Sequence, residues 1–453
     1  MNKFTRFSAR ASLASIGQHM RQLKIWEKVE RYVQINQKVR KHRPLEKLLD
    51  AFINILAGGQ GMVEVNTRVR PDEGLQRAFG RKNCAEQSVI SETLNQCEQE
   101  TVGQMRQAVS ETIQTHGQGV RHNYQAQCLL LDVDMTGMPA GRQGEGVSKG
   151  YFSGQKNQRG RQLGRVIATL YDEILVDRLY TGKRQLERSL QELVQAAADV
   201  LDLTKRQIAC TILRVDAGGG TDLNINWMLG MGYKLMAKMK SGKRARKLAQ
   251  SVTIWYTDPK LPEREVGWVE APFAYVRPTR QLALRTRKKD DQWAYHVLVF
   301  TLSNDELFWL ARQPVLNNPT PEQVLFAALY AYDLRSGGVE TSNKGSKQGL
   351  GLTKRNKRLF AAQEMLVLLA QLAYNLITWT QLFLNQHTSR FRKFGVLRMV
   401  RDVFHIPGQI DLDAQGFLIA IRLQALHPYA PAFAGAMSSL VSLDDSSSNL
   451  HQI

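Results

Sequence analysis

An apolar run, Leu129-Leu130-Leu131-Asp132-Val133-Asp134-Met135-Thr136, carries two carboxylates near its end. Alternation along a strand sends Leu129, Leu131 and Val133 to one face and Leu130, Asp132 and Asp134 to the other, so the two acids share a face. A second strand-like run, Ile208 to Leu213, leads to Arg214-Val215-Asp216. Strand ends hold a carboxylate rigidly, and such oxygen donors suit hard divalent cations. Asp also favours turns, which would explain either tip alone. The pair, and the order of what surrounds it, points to a metal site.

The 453 residues carry 61 Lys+Arg against 41 Asp+Glu, a net charge of +20. Such an excess calls for a polyanionic partner, with nucleic acid the first candidate. The segment Lys149-Gly150-Tyr151-Phe152-Ser153-Gly154-Gln155-Lys156-Asn157-Gln158-Arg159-Gly160-Arg161 reads as a glycine-punctuated loop whose four cations, Lys149, Lys156, Arg159 and Arg161, would meet phosphates. Cys84, Cys97, Cys128 and Cys210 show no CxxC spacing, which gives disulfide and structural zinc frameworks little support. A rival chemistry starts at Val215-Asp216-Ala217-Gly218-Gly219-Gly220, which fits the turn of S-adenosylmethionine-dependent methyltransferases. Such sites use an acid about 20 residues on to bind ribose hydroxyls, and no Asp or Glu occurs from Leu223 to Thr257. The glycines read instead as a turn that lets DNA approach Asp216.

The elements that must position these groups follow from periodicity. Met1 to Met20, basic and Ser/Ala-rich, lacks the apolar core of a secretory signal and reads as a phosphate-touching arm. Helices are predicted over Trp26 to Val39, Leu45 to Leu56, Glu86 to Leu94 and Thr101 to Thr115, with Glu86 to Asn95 a candidate recognition helix. Strand one ends at Asp134, and strands at Leu163 to Tyr171, Glu173 to Tyr180, 207–216 and Tyr233 to Met239 follow. Helices lie at Lys183 to Leu201 and from Thr221 or Asp222 to Gly230, giving the order βββαβαβ. After the cationic run Lys238 to Lys247, residues 249–304 read as a β-rich insertion. A helix returns at Pro321 to Leu334. Met365 to Leu384 is long enough to span a membrane, but Gln371, Asn375, Thr378 and Gln381 interrupt it, so it reads as a buried helix of a soluble cytoplasmic protein with no membrane partner. A hairpin is expected at Ile410 to Leu423, and the Ser/Asp tail Ser438 to Ile453 reads as disordered.

With these pieces in order, the chain resembles the DDE transposases of bacterial insertion sequences, in the branch with a Tyr-Arg-Glu-Lys signature. Asp134-Met135-Thr136 matches the family's first acid and its Asp-x-Thr context, and Asp216 matches the second. Tyr332, Arg335, Glu340 and Lys347 follow the signature, with the step from Arg335 to Glu340 one residue longer than in the family. Gly337, Gly338, Ser342, Asn343 and Gly345 make this segment a poor helix former. The resemblance implies an α/β, ribonuclease-H-like mixed sheet with flanking helices and a β-rich insertion at 249–304. This catalytic domain would span 123–395, preceded by an all-helical DNA-binding domain at 1–122 and followed by an extension at 396–453. It also implies metal-dependent cleavage and strand transfer by Asp134, Asp216 and Glu340 holding two Mg²⁺ ions, with Mn²⁺ able to substitute. Tyr332, Arg335 and Lys347 would contact phosphates, and Asp132 would be a supporting group or an alternative ligand. The partners implied are double-stranded DNA, as terminal inverted repeats and target, and a second copy of the chain in a homodimer at the nucleoid. A DNA-binding protein derived from a transposase with a dead site is the non-enzymatic alternative.

Overall fold

Thirteen strands occur among the residues described by the computed structural model, which are 4–150, 152 and 157–441. They are β1 (Phe4–Ser8), β2 (Leu129–Pro139), β3 (Ser148–Lys149), β4 (Arg159–Ala168), β5 (Glu173–Thr181), β6 (Thr211–Val215), β7 (Lys234–Lys238), β8 (Tyr256–Asp258), β9 (Leu261–Trp268), β10 (Arg280–Arg287), β11 (Trp293–Phe300), β12 (Gly408–Leu412) and β13 (Leu418–Leu423). One mixed sheet runs β5-β4-β2-β6-β7-β11-β10-β9-β8, with the short β3 also on β4. β2 is antiparallel to β4 and parallel to β6, and β6 is parallel to β7. Parallel neighbours need crossovers, supplied by helices Leu186–Leu201 and Asp222–Gly230. The first buries Leu186, Leu190, Leu193, Val194, Ala197 and Leu201 at helical spacing, and Thr221 caps the second.

The two faces of β2 feed separate cores. Leu129, Leu131 and Val133 join the larger one, whereas Leu130 packs with Ile212, Met236 and the helix Pro321–Asp333. The acids of β2 therefore lie on the side covered by that helix and the segment after it.

The helix Phe360–His387 lies along edge strand β5, with most of its apolar length buried. The polar residues that interrupt it have a structural cause. An edge strand leaves unpaired backbone groups, and here Asn375 both accepts from Ile174 N–H at 2.9 Å and donates to Ile174 C=O at 2.9 Å. Gln371 donates to the carbonyls of Ile174 and Leu175 at 3.2 and 3.1 Å.

Several sequence expectations are corrected. β2 does not end at Asp134; its antiparallel pairing with β4 carries it to Pro139, while its parallel pairing with β6 stops at Val133. Residues Lys205–Ala209 are a helical turn, because Thr204 and Gln207 cap each other reciprocally at 3.3 and 2.9 Å. The expected arm contains a buried helix, Ala11–Gln22, whose small residues allow close packing. A Cβ on Gly17 would stand 2.9 Å from the Ala78 carbonyl oxygen. The second helix stops at Tyr32 rather than Val39. The extended chain beyond it is held by side chains, with Gln104 accepting from Gln34 N–H at 2.8 Å and Thr93 donating to Gln37 at 2.6 Å.

The strands expected as an insertion continue the main sheet, since β11 pairs antiparallel with β7. The N-terminal region is likewise not self-contained, because β1 pairs with β12 of the C-terminal hairpin. The C-terminal helix Ala430–Val441 reaches into the expected tail, of which 442–453 lie outside the described residues.

Candidate active site

Val133 and Val215 are the last parallel partners of β2 and β6. The next residues, Asp134 and Asp216, therefore sit at one level on strands about 4.8 Å apart, where the parallel pairing opens. Both Asp134 oxygens are engaged, Oδ1 by Arg335 Nη2 at 2.8 Å and Oδ2 by Asn343 Nδ2 at 2.7 Å. Arg335 also donates to Val133 C=O at 3.0 Å, and its Nη1 stands 3.8 Å from Glu340 Oε1. Burial pushes the Asp134 carboxyl above the ordinary range; Arg335 opposes this and the Asp216 charge reinforces it. Burial also works against the charge of Arg335, but the carboxylates around it outweigh that and raise its proton affinity. Glu340 is 60% exposed, and among the described residues no three His, Cys, Asp or Glu side chains converge as a metal cluster. The structure thus brings Asp134 and Asp216 together and leaves Glu340 on the far side of Arg335.

Asp132 is also engaged at both oxygens, and more deeply than Asp134. It is fully buried, receives both Arg214 Nε and Nη2 at 2.6 and 2.8 Å, and accepts from Thr169 at 2.7 Å.

Asp216 begins a tight turn in which Gly219 and Gly220 donate to its carbonyl at 3.2 and 3.0 Å. A Cβ on Gly220 would lie 1.8 Å from the Lys238 carbonyl oxygen. Gly220 lets the turn close on β7, and a Cβ on Gly219 would press on Val215 and Leu190 at 2.5 and 2.6 Å, so internal packing accounts for both.

The segment carrying Glu340 is helical throughout despite its composition. Ser336–Glu340 and Gly345–Gly349 are π turns flanking Thr341–Lys344. A π turn closes over one residue more than an α turn, which accommodates the longer step from Arg335 to Glu340. The polar residues that weaken the helix are the ones that dock it. Asn343 binds Asp134, Lys347 Nζ donates to Thr136 Oγ1 at 2.5 Å, and Ser342 and Ser346 bind Arg165. Tyr332 Oη reaches the Val215 carbonyl at 3.5 Å, and burial raises its proton affinity. Burial lowers that of Lys347, with Asp134 opposing.

The expected DNA contacts divide. Lys149 is exposed and faces Arg159 across the β3–β4 pair. Lys156 lies outside the described residues. Arg161 is not available to a ligand. It is 1% exposed and donates to the carbonyls of Glu145, Lys357 and Arg358 at 2.7, 3.0 and 2.9 Å. In the helix Gln87–Asn95, Ser91 accepts from Lys357 at 2.8 Å, while Ser88 and Asn95 remain exposed.

The family model described as "Transposase DDE domain group 1" matches residues 5–445. The chain belongs to that family. It is thereby a DDE transposase, an enzyme of the polynucleotidyl transferase and nuclease class, and the methyltransferase reading is set aside. Among solved structures it is similar to the piggyBac transposase synaptic complex with hairpin DNA. The TM-score is 0.46 and the identity 10%, over 89% of this chain and 84% of that one. No curated protein matches the chain.

Transposases of this family generally use divalent metal ions. The donor chemistry fits one, since Asp134, Asp216 and Glu340 offer hard oxygen ligands and the buried Asn343 Oδ1 beside Asp134 has no hydrogen-bond partner. Asn343, Arg165, Ser342 and Ser346 escaped sequence reasoning. The signal was present as two adjacent i,i+4 pairs, Ser342 with Ser346 and Asn343 with Lys347, which form one polar face on a helix.

Proposed function

We propose that this DDE transposase binds the ends of a bacterial insertion sequence and carries out Mg²⁺-dependent strand cleavage and strand transfer, with Mn²⁺ able to substitute. The observation that carries the proposal is the placement of Asp134 and Asp216 side by side where β2–β6 pairing opens, with the Glu340 segment docked across that edge through Arg335 and Asn343. The strand order β5-β4-β2-β6-β7, three antiparallel strands and then two parallel ones joined by helices, supports a ribonuclease-H-like core. Asp134, Asp216 and Glu340 would hold the metal ions, which activate a water or 3′-hydroxyl and stabilise the leaving oxygen.

The protein's own groups do the rest. Arg335 balances the carboxylates, Lys347 and Tyr332 border the same edge, and Lys149, Lys156 and Arg159 offer cations to the DNA backbone. The Tyr-Arg-Glu-Lys signature is retained in this reading, its extra residue absorbed by the π turn. The N-terminal helical region would recognise terminal repeats, with the chain acting on repeat and target duplexes as a homodimer at the cytoplasmic nucleoid. A DNA-binding protein without catalysis is the second reading, favoured by the outward position of Glu340.

Purified protein should nick a terminal-repeat duplex with Mg²⁺ or Mn²⁺ and stop in chelator, with S-adenosylmethionine having no effect. Asp134→Asn, Asp216→Asn and Glu340→Gln should each abolish cleavage while DNA binding is retained. Metal-independent nicking, or methyl transfer to DNA, rejects the proposal, and binding without cleavage by the wild type selects the second reading.

A further inference from the structure

Arg165 stands directly opposite Asp134 in the β2–β4 register, yet its donors go elsewhere. Nε and Nη2 donate to the two Asp177 oxygens at 2.7 and 2.6 Å, and Nη1 donates to the hydroxyls of Ser342 and Ser346 at 2.8 and 2.9 Å. All four side chains are buried. Its guanidinium also lies 5.9 Å from the Tyr374 ring, whose hydroxyl donates to Asp172 at 2.8 Å. We propose that Arg165 is a positioning residue for strand cleavage. It acts through Ser342 and Ser346 to hold the helical segment carrying Glu340 at the carboxylate edge, and this rests on the reading of Glu340 as the third acid.

A buried ion pair by itself is weak evidence of purpose, since well-packed apolar replacements often serve as well. Arg165 differs in what its third nitrogen does. The segment it grips contains Gly337, Gly338 and Gly345 and two π turns, so it has little helical stability of its own. Its ties nearest Glu340, from Arg335 and Asn343 to Asp134 and from Lys347 to Thr136, run to groups at the site itself, and Gln60 holds its far end at the Gln348 carbonyl at 3.2 Å. Arg165 instead ties it to β4 and β5 through a rigid fork satisfied on both sides. Glu340 is two residues from Ser342, so a shift of that grip is a shift of the carboxylate. Misplacement of a reacting group by about 1 Å can cost on the order of 100-fold in rate.

The test removes the grip and spares the ion pair. Ser342→Ala/Ser346→Ala is assayed in single-turnover cleavage of a terminal-repeat duplex, beside wild type and Glu340→Gln, with DNA affinity and half-saturating Mg²⁺ measured in parallel. The expected result is a rate constant roughly 10–100-fold lower, unchanged DNA affinity and a raised Mg²⁺ requirement. A loss of fold alone would lower the amplitude and leave the rate constant of the surviving molecules intact. The single variants, each keeping one hydroxyl, should fall between and replace the double variant if it does not fold. A wild-type rate constant in the serine variants, with Glu340→Gln inactive, overturns the role of Arg165 alone. Normal cleavage by Glu340→Gln overturns the third-acid reading and this proposal with it.

Discussion

Gly338 decides how closely the segment carrying Glu340 can approach the sheet. A Cβ there would stand 2.7 Å from Asp132 Oδ2 and 2.8 Å from Thr169 Cγ2. Asp132 cannot yield, because Arg214 holds both its oxygens at 2.6 and 2.8 Å and Thr169 holds Oδ2 at 2.7 Å. Overpacking a tight site costs roughly 1–3 kcal/mol, and replacing glycine by alanine in a helix returns about 0.8–1 kcal/mol. With Asp132 fixed, the cost falls in the upper part of its range, and Gly338→Ala should destabilise the protein by up to about 2 kcal/mol. Gly337, its neighbour, has nothing within 4 Å of an added Cβ, so Gly337→Ala should stabilise by about 0.5–1 kcal/mol. Denaturant unfolding of both variants beside wild type reads the difference, with the Gly338→Ala midpoint below wild type and the Gly337→Ala midpoint above it. A Gly338→Ala midpoint equal to or above that of Gly337→Ala would refute the argument that the segment is docked on Asp132.

Asp132→Asn leaves the buried Arg214 charge uncompensated and should cost roughly 3–5 kcal/mol of stability, seen in the same unfolding assay. An unchanged midpoint would contradict the buried pair. Arg161→Met should destabilise the protein by roughly 1–3 kcal/mol, because the carbonyls of Glu145, Lys357 and Arg358 lose a charged donor, whereas Lys149→Gln should leave stability alone and reduce the salt dependence of DNA binding. The reverse pattern would return Arg161 to the DNA surface.

Burial raises the Asp172 carboxyl to about 6, against the opposing hydrogen bond from Tyr374. A carboxyl raised on folding stabilises fully below its unfolded value near 3.9 and loses that contribution as pH rises through about 6. The change is at most roughly 3 kcal/mol, less for the part of the side chain that meets water. Asp172→Asn should therefore flatten the fall in stability between pH 4 and 7, measured by unfolding across that range; an unaltered profile would refute it.

The sequence by itself determined the pieces whose signals are local. Alternation placed Asp132 and Asp134 on one face of β2, apolar spacing marked the helix Leu186–Leu201, and Thr221 announced the helix that follows Asp216. Order along the chain, with acids at 134 and 216 and the Tyr332 to Lys347 series after a β-rich stretch, was enough to point to the transposase family. Local signals also misled where tertiary pairing overrode them. Asp134 looked like a strand end because the apolar run stops there, but β4 carries the strand on and only β6 ends. Arg161 looked like a loop cation, and the carbonyls of Glu145, Lys357 and Arg358 made it internal. The glycine-rich, polar segment around Glu340 looked unfit for a helix, because propensity counts only a residue's cost in isolation. Arg165, Asp134 and Thr136 come from remote strands, and only their convergence turns Ser342, Asn343, Ser346 and Lys347 into anchors of one helical face. The partners of each acid on β2 were likewise decided in three dimensions. Asp132 and Asp134 are chemically identical and two residues apart, and the buried fork of Arg214 takes the first while Arg335 and Asn343 hold the second at the edge where pairing with β6 stops.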